Sequence, residues 1–237
     1  MRKMKGSGNY LKSQVRKNLA KSVFCLFIFA LLFFASSFEA VRTLRIGLLV
    51  DAGLLLSLVP LAGFFFYLHR YRVYSGGWEG EKQVAKLLSS RLSDDYILLN
   101  NLYLRNGGGD IDHVVLTPGG VFVLETKNWS GEIICNGDDW RRTGKGDFKA
   151  SPSRQVKRNV ANIKRIVEAE ALRPLSVGVE GAIVFTNRHA TLHLKSPTVL
   201  VLKLPQLPDQ IIAQGNLRRY SAEQLELVGK EILKQKR

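Results

Sequence analysis

Two long apolar runs near the amino terminus dominate the hydropathy pattern of the chain. The first extends over about residues 22–38, and the second over about residues 46–68, where Pro60 interrupts it. Each run is long enough to cross the hydrocarbon core of a bilayer as a helix. The pattern therefore predicts a transmembrane hairpin over residues 22–72, preceded by a basic cytoplasmic tail over residues 1–21.

Beyond residue 72 the apolar positions take up the shorter periods of a soluble α/β domain. Val84, Leu88 and Leu92 recur at helical spacing, and short β-rich runs alternate with turn signals further on. The expected strands are Tyr96–Leu104, Ile111–Leu116, Val121–Thr126, Glu132–Cys135, Trp140–Arg142, Gly178–Phe185, Thr191–Leu194 and Thr198–Leu202, and the expected helices are Arg154–Ala171, Asp209–Gln214 and Ser221–Lys234.

These elements divide the rest of the chain into two parts. We expect a domain over residues 73–204, joined to the membrane hairpin through Ser75–Gly77, and a helical carboxyl-terminal tail over residues 205–237. The predicted hairpin Glu132–Arg142 is expected to extend the main sheet. Gly178–Phe185 follows a helical crossover, so it is expected to lie parallel to an earlier strand.

The hairpin that turns at Pro118-Gly119-Gly120 carries charged residues where strands are normally apolar. Alternation along its second strand places Glu125 and Lys127 on one face, and a tight hairpin can bring the carboxylate of Asp112 close to Glu125. Two carboxylates buried beside one ammonium cost several kcal/mol unless something compensates. A divalent cation provides that compensation, and Mg²⁺ suits a site with one or two carboxylates, water and substrate phosphate.

At these residues the chain resembles a known family. Asp112 followed by Glu125-Thr126-Lys127 resembles the D…(D/E)xK core of the restriction-endonuclease-like, or PD-(D/E)xK, nucleases. The surrounding sequence is similar to the nuclease-related domain family, NERD. The similar segments are Gly80-Glu81, Asp110–Val115, Gly120–Asn128 and Ser130-Gly131. The resemblance implies an α/β fold with a restriction-endonuclease-like mixed β-sheet flanked by helices, here preceded by the two-helix transmembrane hairpin.

The resemblance also implies roles for individual residues. Asp112 and Glu125 would bind Mg²⁺ or Mn²⁺ together with the carbonyl of Thr126, and Lys127 would assist the attacking water. Two further catalytic candidates are Glu81, as an auxiliary metal ligand, and Gln155, which would orient water or phosphate. Each has a plainer alternative, because Glu81 could merely complement a helix dipole and Gln155 could be a surface residue at a helix start. His113 is expected to pack or form a hydrogen bond within its strand, and a role in catalysis is the alternative.

The net charge of +15 calls for an anionic partner or surface. Residues 1–72 hold 11 Lys and Arg residues against two acids, so much of this charge lies beside the apolar runs. The positive-inside rule then places both ends of the hairpin in the cytoplasm, in an integral protein of the bacterial inner membrane. A cleaved signal peptide is the alternative for the first run. Residues Trp129, Arg141, Arg142, Lys145 and Lys149 could line a nucleic-acid groove or form a solvated surface.

The predicted function is a membrane-anchored, Mg²⁺-dependent nuclease that hydrolyses phosphodiester bonds, with DNA as the favoured partner and RNA left open. Two alternatives come from other classes of protein. One is a membrane tether that binds nucleic acid without cutting it, and the other is a membrane-anchored scaffold whose charged hairpin is only a salt-bridge network. The paired cysteines of a disulfide framework are absent, since the chain has only Cys25 and Cys135.

Overall fold

The computed structural model describes residues 1–4, 10–37, 47–105, 110–144, 146–147, 150–170, 172–217 and 219–236. They form two compact units. One unit comprises Asn9–Trp78, and the other comprises Glu79–Arg237 together with the amino-terminal segment. The architecture is mixed α/β, with a mixed sheet flanked by helices and two apolar helices near the amino terminus, as the sequence predicts.

The first unit is built from two long helices, α1 at Tyr10–Ser37 and α2 at Gly47–Arg91. Both are long and apolar enough to cross a membrane, and their apolar stretches are almost entirely exposed. Helix α1 begins twelve residues before the predicted start at Ser22, because the basic residues of the tail are good helix formers.

The two compact units divide between Trp78 and Glu79, just beyond the joint predicted at Ser75–Gly77, and α2 is continuous through these residues. Glycine in a helix interior costs about 1 kcal/mol relative to alanine. That cost is offset beyond the joint by Val84 and Leu88, which are completely buried in the core of the second unit. The glycines therefore sit inside a helix that is anchored from its carboxyl-terminal end.

The second unit is organised by a six-stranded sheet in the order β1-β2-β3-β4-β8-β10. Strands β2, β3 and β4 are antiparallel, whereas β1 is parallel to β2, β8 to β4, and β10 to β8. The strand bounds are β1 Arg2–Met4, β2 Ile97–Tyr103, β3 Asp110–Thr117, β4 Gly120–Lys127, β5 Gly131–Asn136, β6 Asp139–Arg142, β7 Gly146–Asp147, β8 Val179–Phe185, β9 Ala190–Lys195 and β10 Leu200–Lys203.

Helices cover both faces of this sheet. Helix α3 (Pro152–Val167) and helix α5 (Ala222–Lys234) pack on one face, where Ile163 and Val228 join the buried side chains of β2 to β4. Helix α4 (Leu207–Gly215) and the last turns of α2 pack on the other face. Helix α3 ends four residues before the predicted Ala171. The predicted carboxyl-terminal tail is thus part of the folded unit.

Strands β5, β6, β7 and β9 form a separate four-stranded sheet in the order β7-β6-β5-β9. The predicted β5–β6 hairpin exists, but the expectation that it extends the main sheet is wrong. Its inward side chains need their own core, in which Trp140 stacks on Phe185 at 5.7 Å between ring centroids. The indole nitrogen of Trp140 donates a hydrogen bond of 2.8 Å to Ser153 at the start of α3, which ties this small sheet to the helix.

Candidate active site

The candidate site lies where β3 and β4 separate. Their paired residues run from Thr117 opposite Gly120 to His113 opposite Leu124. Asp112 and Glu125 are the next residues along the two strands, just beyond the last pair. The backbone N–H of Thr126 donates a 2.7 Å hydrogen bond to Oδ2 of Asp112, so a carboxylate bridges the strands where the backbone ladder stops. The separation leaves room for side chains between the strands.

Glu125 and Lys127 lie on the same face of β4, as alternation predicts. The Lys127 Nζ donates to Oε1 of Glu125 at 2.6 Å and to Oε1 of Gln155 on α3 at 3.2 Å. The Glu125 side chain is only 3% exposed and that of Lys127 17%. Lys127 also lies over the ring of Trp129, with Nζ 5.5 Å from the centroid. The ammonium group is therefore held by an acid, an amide and an aromatic face.

Glu81 reaches the same site from α2. The helix lies directly against the ends of β4 and β8 at Gly80, where a Cβ atom would stand 2.9 Å from Oγ1 of Thr186 and 3.3 Å from Cγ2 of Thr126. Only glycine permits this approach without a shift of the neighbouring side chains. The next residue, Glu81, is 8% exposed and points its charge towards the acids of the sheet.

The carboxyl groups of the site have raised pKa values. Burial, followed by the charges of Glu125 and Asp110, raises the pKa of Glu81 to about 8. Burial and the neighbouring acids raise the pKa of Asp112 well above its usual range. Burial also raises the pKa of Glu125, although Lys127 acts in the opposite direction. Like charges brought together in a partly dry site produce shifts of this sign.

The donor set fits a hard divalent cation. Oε2 of Glu125 is buried and has no hydrogen-bond partner among the described residues, and carboxylate oxygens are the ligands that Mg²⁺ prefers. In the part of the chain that the structure describes, no group of three or more Asp, Glu, His or Cys side chains is placed to hold a metal ion. Two carboxylates, supplemented by water and substrate oxygens, are nevertheless a common arrangement for Mg²⁺.

Hydrogen bonds join Asp112 to the backbone of Thr126, and Lys127 to both Glu125 and Gln155. Glu81 is linked to them by the charge of Glu125, which acts on it. Sequence reasoning assigned no role to Asp110, whose charge also acts on Glu81 and Glu125. The sequence does offer one indication of a role, because Asp110 lies two residues before Asp112 at the polar start of the same strand. Asp110 is half-buried, and burial raises its pKa.

Other candidates lie away from this cluster. His113 is buried, its Nδ1 is 2.7 Å from Oδ1 of Asn100, and burial lowers its pKa to about 3. Arg142 contacts the backbone oxygen of Ser130 at 2.7 Å. The predicted groove residues Lys145 and Lys149 lie outside the described residues.

Comparison with known proteins finds a family model that matches this region. Residues 76–186 match the nuclease-related domain, NERD. The NERD match begins in α2 and ends after β8, so it contains every residue of the acid cluster together with Lys127 and Gln155. The membrane-type helix α1 and the helices α4 and α5 lie outside it.

The chain is also similar to an uncharacterized protein of Bacillus anthracis, with 38% identity over 95 residues. This similarity covers 38% of the chain and 44% of the relative, so the chain spans less than half of that protein's length. No solved structure matches the chain.

Proposed function

We propose that this protein is a membrane-anchored, Mg²⁺-dependent nuclease that hydrolyses phosphodiester bonds, with DNA as the favoured substrate. The observation that carries the proposal is the contact set of Lys127, whose Nζ lies 2.6 Å from Glu125 and 3.2 Å from Gln155 within the NERD match. Together with Asp112 this set supplies the acid, acid and lysine expected of a PD-(D/E)xK enzyme.

Lys127 is suited to orienting a reacting group. An ammonium has three N–H donors, of which two are taken by Glu125 and Gln155. The third can donate to a water oxygen or to a non-bridging phosphate oxygen. In the hydrolysis, the water oxygen bonds to phosphorus while the ester bond to the leaving oxygen breaks. The leaving oxygen gains a proton and the hydroxyl remains on phosphorus.

Asp112 and Glu125 would hold the metal ion, with the Thr126 carbonyl and Glu81 as further oxygen ligands. A bound Mg²⁺ or Mn²⁺ supplies Lewis acidity and favours deprotonation of water at neutral pH. The donor set supports such an ion, because Oε2 of Glu125 is buried and has no hydrogen-bond partner among the described residues. Gln155 would help to hold Lys127 in place by accepting its hydrogen bond.

Membrane anchoring rests on the two apolar helices and on the position of β1. Strand β1 precedes α1 in sequence, yet it belongs to the same sheet as β2, which follows α2. If α1 and α2 cross a bilayer, both flanks of the hairpin must therefore lie on one side. Basic residues at those flanks favour the cytoplasmic side of an inner membrane.

The proposal is tested with the full chain in detergent micelles and labelled single- and double-stranded DNA and RNA. Cleavage is expected with Mg²⁺ or Mn²⁺, none with EDTA, and none in Asp112→Ala or Lys127→Ala. Lys195→Ala, which removes an exposed lysine from β9, is the matched control and should cut normally. Binding without cleavage by the wild type would identify a tether, and absence of both would reject the assignment.

A further inference from the structure

Helix α3 presents three residues of one face to the site. Gln155 contacts Lys127 at 3.2 Å, and Nδ2 of Asn159 is 3.5 Å from the backbone oxygen of Asp110. Residues i, i+3 and i+4 lie on the same side of a helix. Arg158 occupies the i+3 position between these two contacts, so it projects from the stripe that faces the ends of β3 and β4.

Arg158 differs from the basic side chains that precede it on the helix. Lys157 binds Asp138 at 2.8 Å, and Arg154 lies 3.9 Å from Asp139. Among the residues that the structure describes, Arg158 has neither a hydrogen bond nor an ion pair, and its side chain is exposed. Its place on the helix face of Gln155 and Asn159 nevertheless directs it towards the ends of β3 and β4. The guanidinium is thus near the acids and free to bind something else.

A phosphodiester needs such a group at this place. Two buried carboxylates lie here, since Asp112 accepts a hydrogen bond from Thr126 on β4 and Glu125 accepts one from Lys127. The ammonium of Lys127 is paired with Glu125, so a second cationic side chain would help an incoming anion to approach these acids. A guanidinium offers paired N–H donors that match two oxygens of a phosphate, and it stays charged at all working pH values.

We propose that Arg158 binds the non-bridging oxygens of the phosphodiester that this site cleaves. The inference rests on the proposed nuclease function and adds a substrate-binding residue to it. Arg158 would hold the phosphate from the α3 side, while Lys127 acts on the water or phosphate from β4. Because the contact strengthens as charge builds up in the transition state, it should affect turnover as well as binding.

The test uses the full chain in detergent micelles and compares Arg158→Ala, Arg158→Lys and Lys164→Ala. Lys164 is the control because it is exposed on the same helix and has the same charge, but lies six residues further along. Arg158→Ala should lower kcat about 10- to 100-fold, since losing one charge-assisted contact costs roughly 1.5–3 kcal/mol. Arg158→Lys should recover part of the loss, and Lys164→Ala should leave kcat unchanged.

Equal kcat values for Arg158→Ala and wild type would overturn the proposal while leaving the nuclease intact. A second arm measures equilibrium binding of a fluorescein-labelled 20-base-pair duplex in EDTA. Arg158→Ala should weaken it at least threefold more than Lys164→Ala. If the wild type does not cut, the nuclease proposal fails. If the two alanine variants then also bind the duplex equally well, Arg158 does not bind phosphate and the further inference fails too.

Discussion

Glu81→Gln should stabilise the metal-free protein and should do so more strongly as the pH rises. The pKa of Glu81 is raised from 4.5 to about 8 in the folded state. A carboxyl group with a raised folded-state pKa stabilises the fold only while it is protonated. Its unfavourable contribution therefore begins above pH 4.5, grows as the pH rises, and levels off above about pH 8. Glutamine has nearly the same shape and does not titrate.

The size of the effect follows from the shift. Each pKa unit corresponds to about 1.4 kcal/mol. At pH 7 the raised pKa therefore lowers the free energy of unfolding of the wild type by about 3 kcal/mol, an effect that Glu81 shares with the neighbouring acids. The expected gain of Glu81→Gln is thus about 2–3 kcal/mol at pH 7 and close to zero at pH 4.5. The same substitution should slow the proposed cleavage, because it removes the carboxylate proposed as an auxiliary metal ligand.

The assay is urea denaturation of the full chain in detergent micelles with EDTA, followed by tryptophan fluorescence at pH 5, 6, 7 and 8. Glu79→Gln is the matched control, since Glu79 lies two residues earlier, is exposed and pairs with Lys82 at 3.0 Å. It should show no trend with pH. A pH-independent difference between Glu81→Gln and wild type, or a loss of stability at pH 8, would refute the reasoning. Added Mg²⁺ should stabilise the wild type more than the variant.

Three further predictions concern the surroundings of the site. Gly181→Ala should destabilise the fold by about 1–3 kcal/mol and reduce cleavage, because its Cβ would collide with Val156 of α3. The midpoint of urea denaturation measures the loss of stability, and the initial rate measures cleavage. Trp140→Phe should cost about 1–3 kcal/mol by leaving the Ser153 hydroxyl without its buried donor, measured in the same denaturation assay. His113 is buried and neutral with a pKa of about 3, so below pH 6.5 protonation of the unfolded chain lowers stability by up to about 1.4 kcal/mol per pH unit. His113→Gln should remove this component, which unfolding midpoints at pH 6 and pH 5 would reveal.

The elements whose signals are local could be predicted from the sequence. The β3–β4 hairpin follows from alternating apolar positions around Pro118-Gly119-Gly120, and that alternation alone places Glu125 beside Lys127. The start of α5 follows from a capping box, in which Ser221 and Gln224 bond reciprocally at 3.3 and 2.8 Å. In each case the residues that carry the signal are also the residues that make the contact.

The parallel placement of β8 beside β4 follows from the helical crossover that precedes it, but other features that depend on distant partners could not be predicted. The β5–β6 hairpin pattern shows that two strands pair, but it does not show which sheet they join. Strand β1 has no apolar alternation, and it becomes a strand only because the edge of β2 accepts it. Asp110 lies in a polar, glycine-flanked segment, and its proximity to Glu81 arises only after α2 packs on the sheet.

The position of β1 also bears on the order in which the molecule can be completed. Arg2 is synthesised before its partner Ile97, which leaves the ribosome more than ninety residues later. Pairing β1 with β2 closes a long loop of chain, and the conformational entropy lost in that closure opposes the pairing. The pairing therefore becomes favourable only after the intervening helices have formed. The sheet edge is therefore expected to close last. If the two apolar helices insert into a membrane as proposed, only insertion with both flanks on one side permits that closure, and β1 would then act as a check on correct insertion.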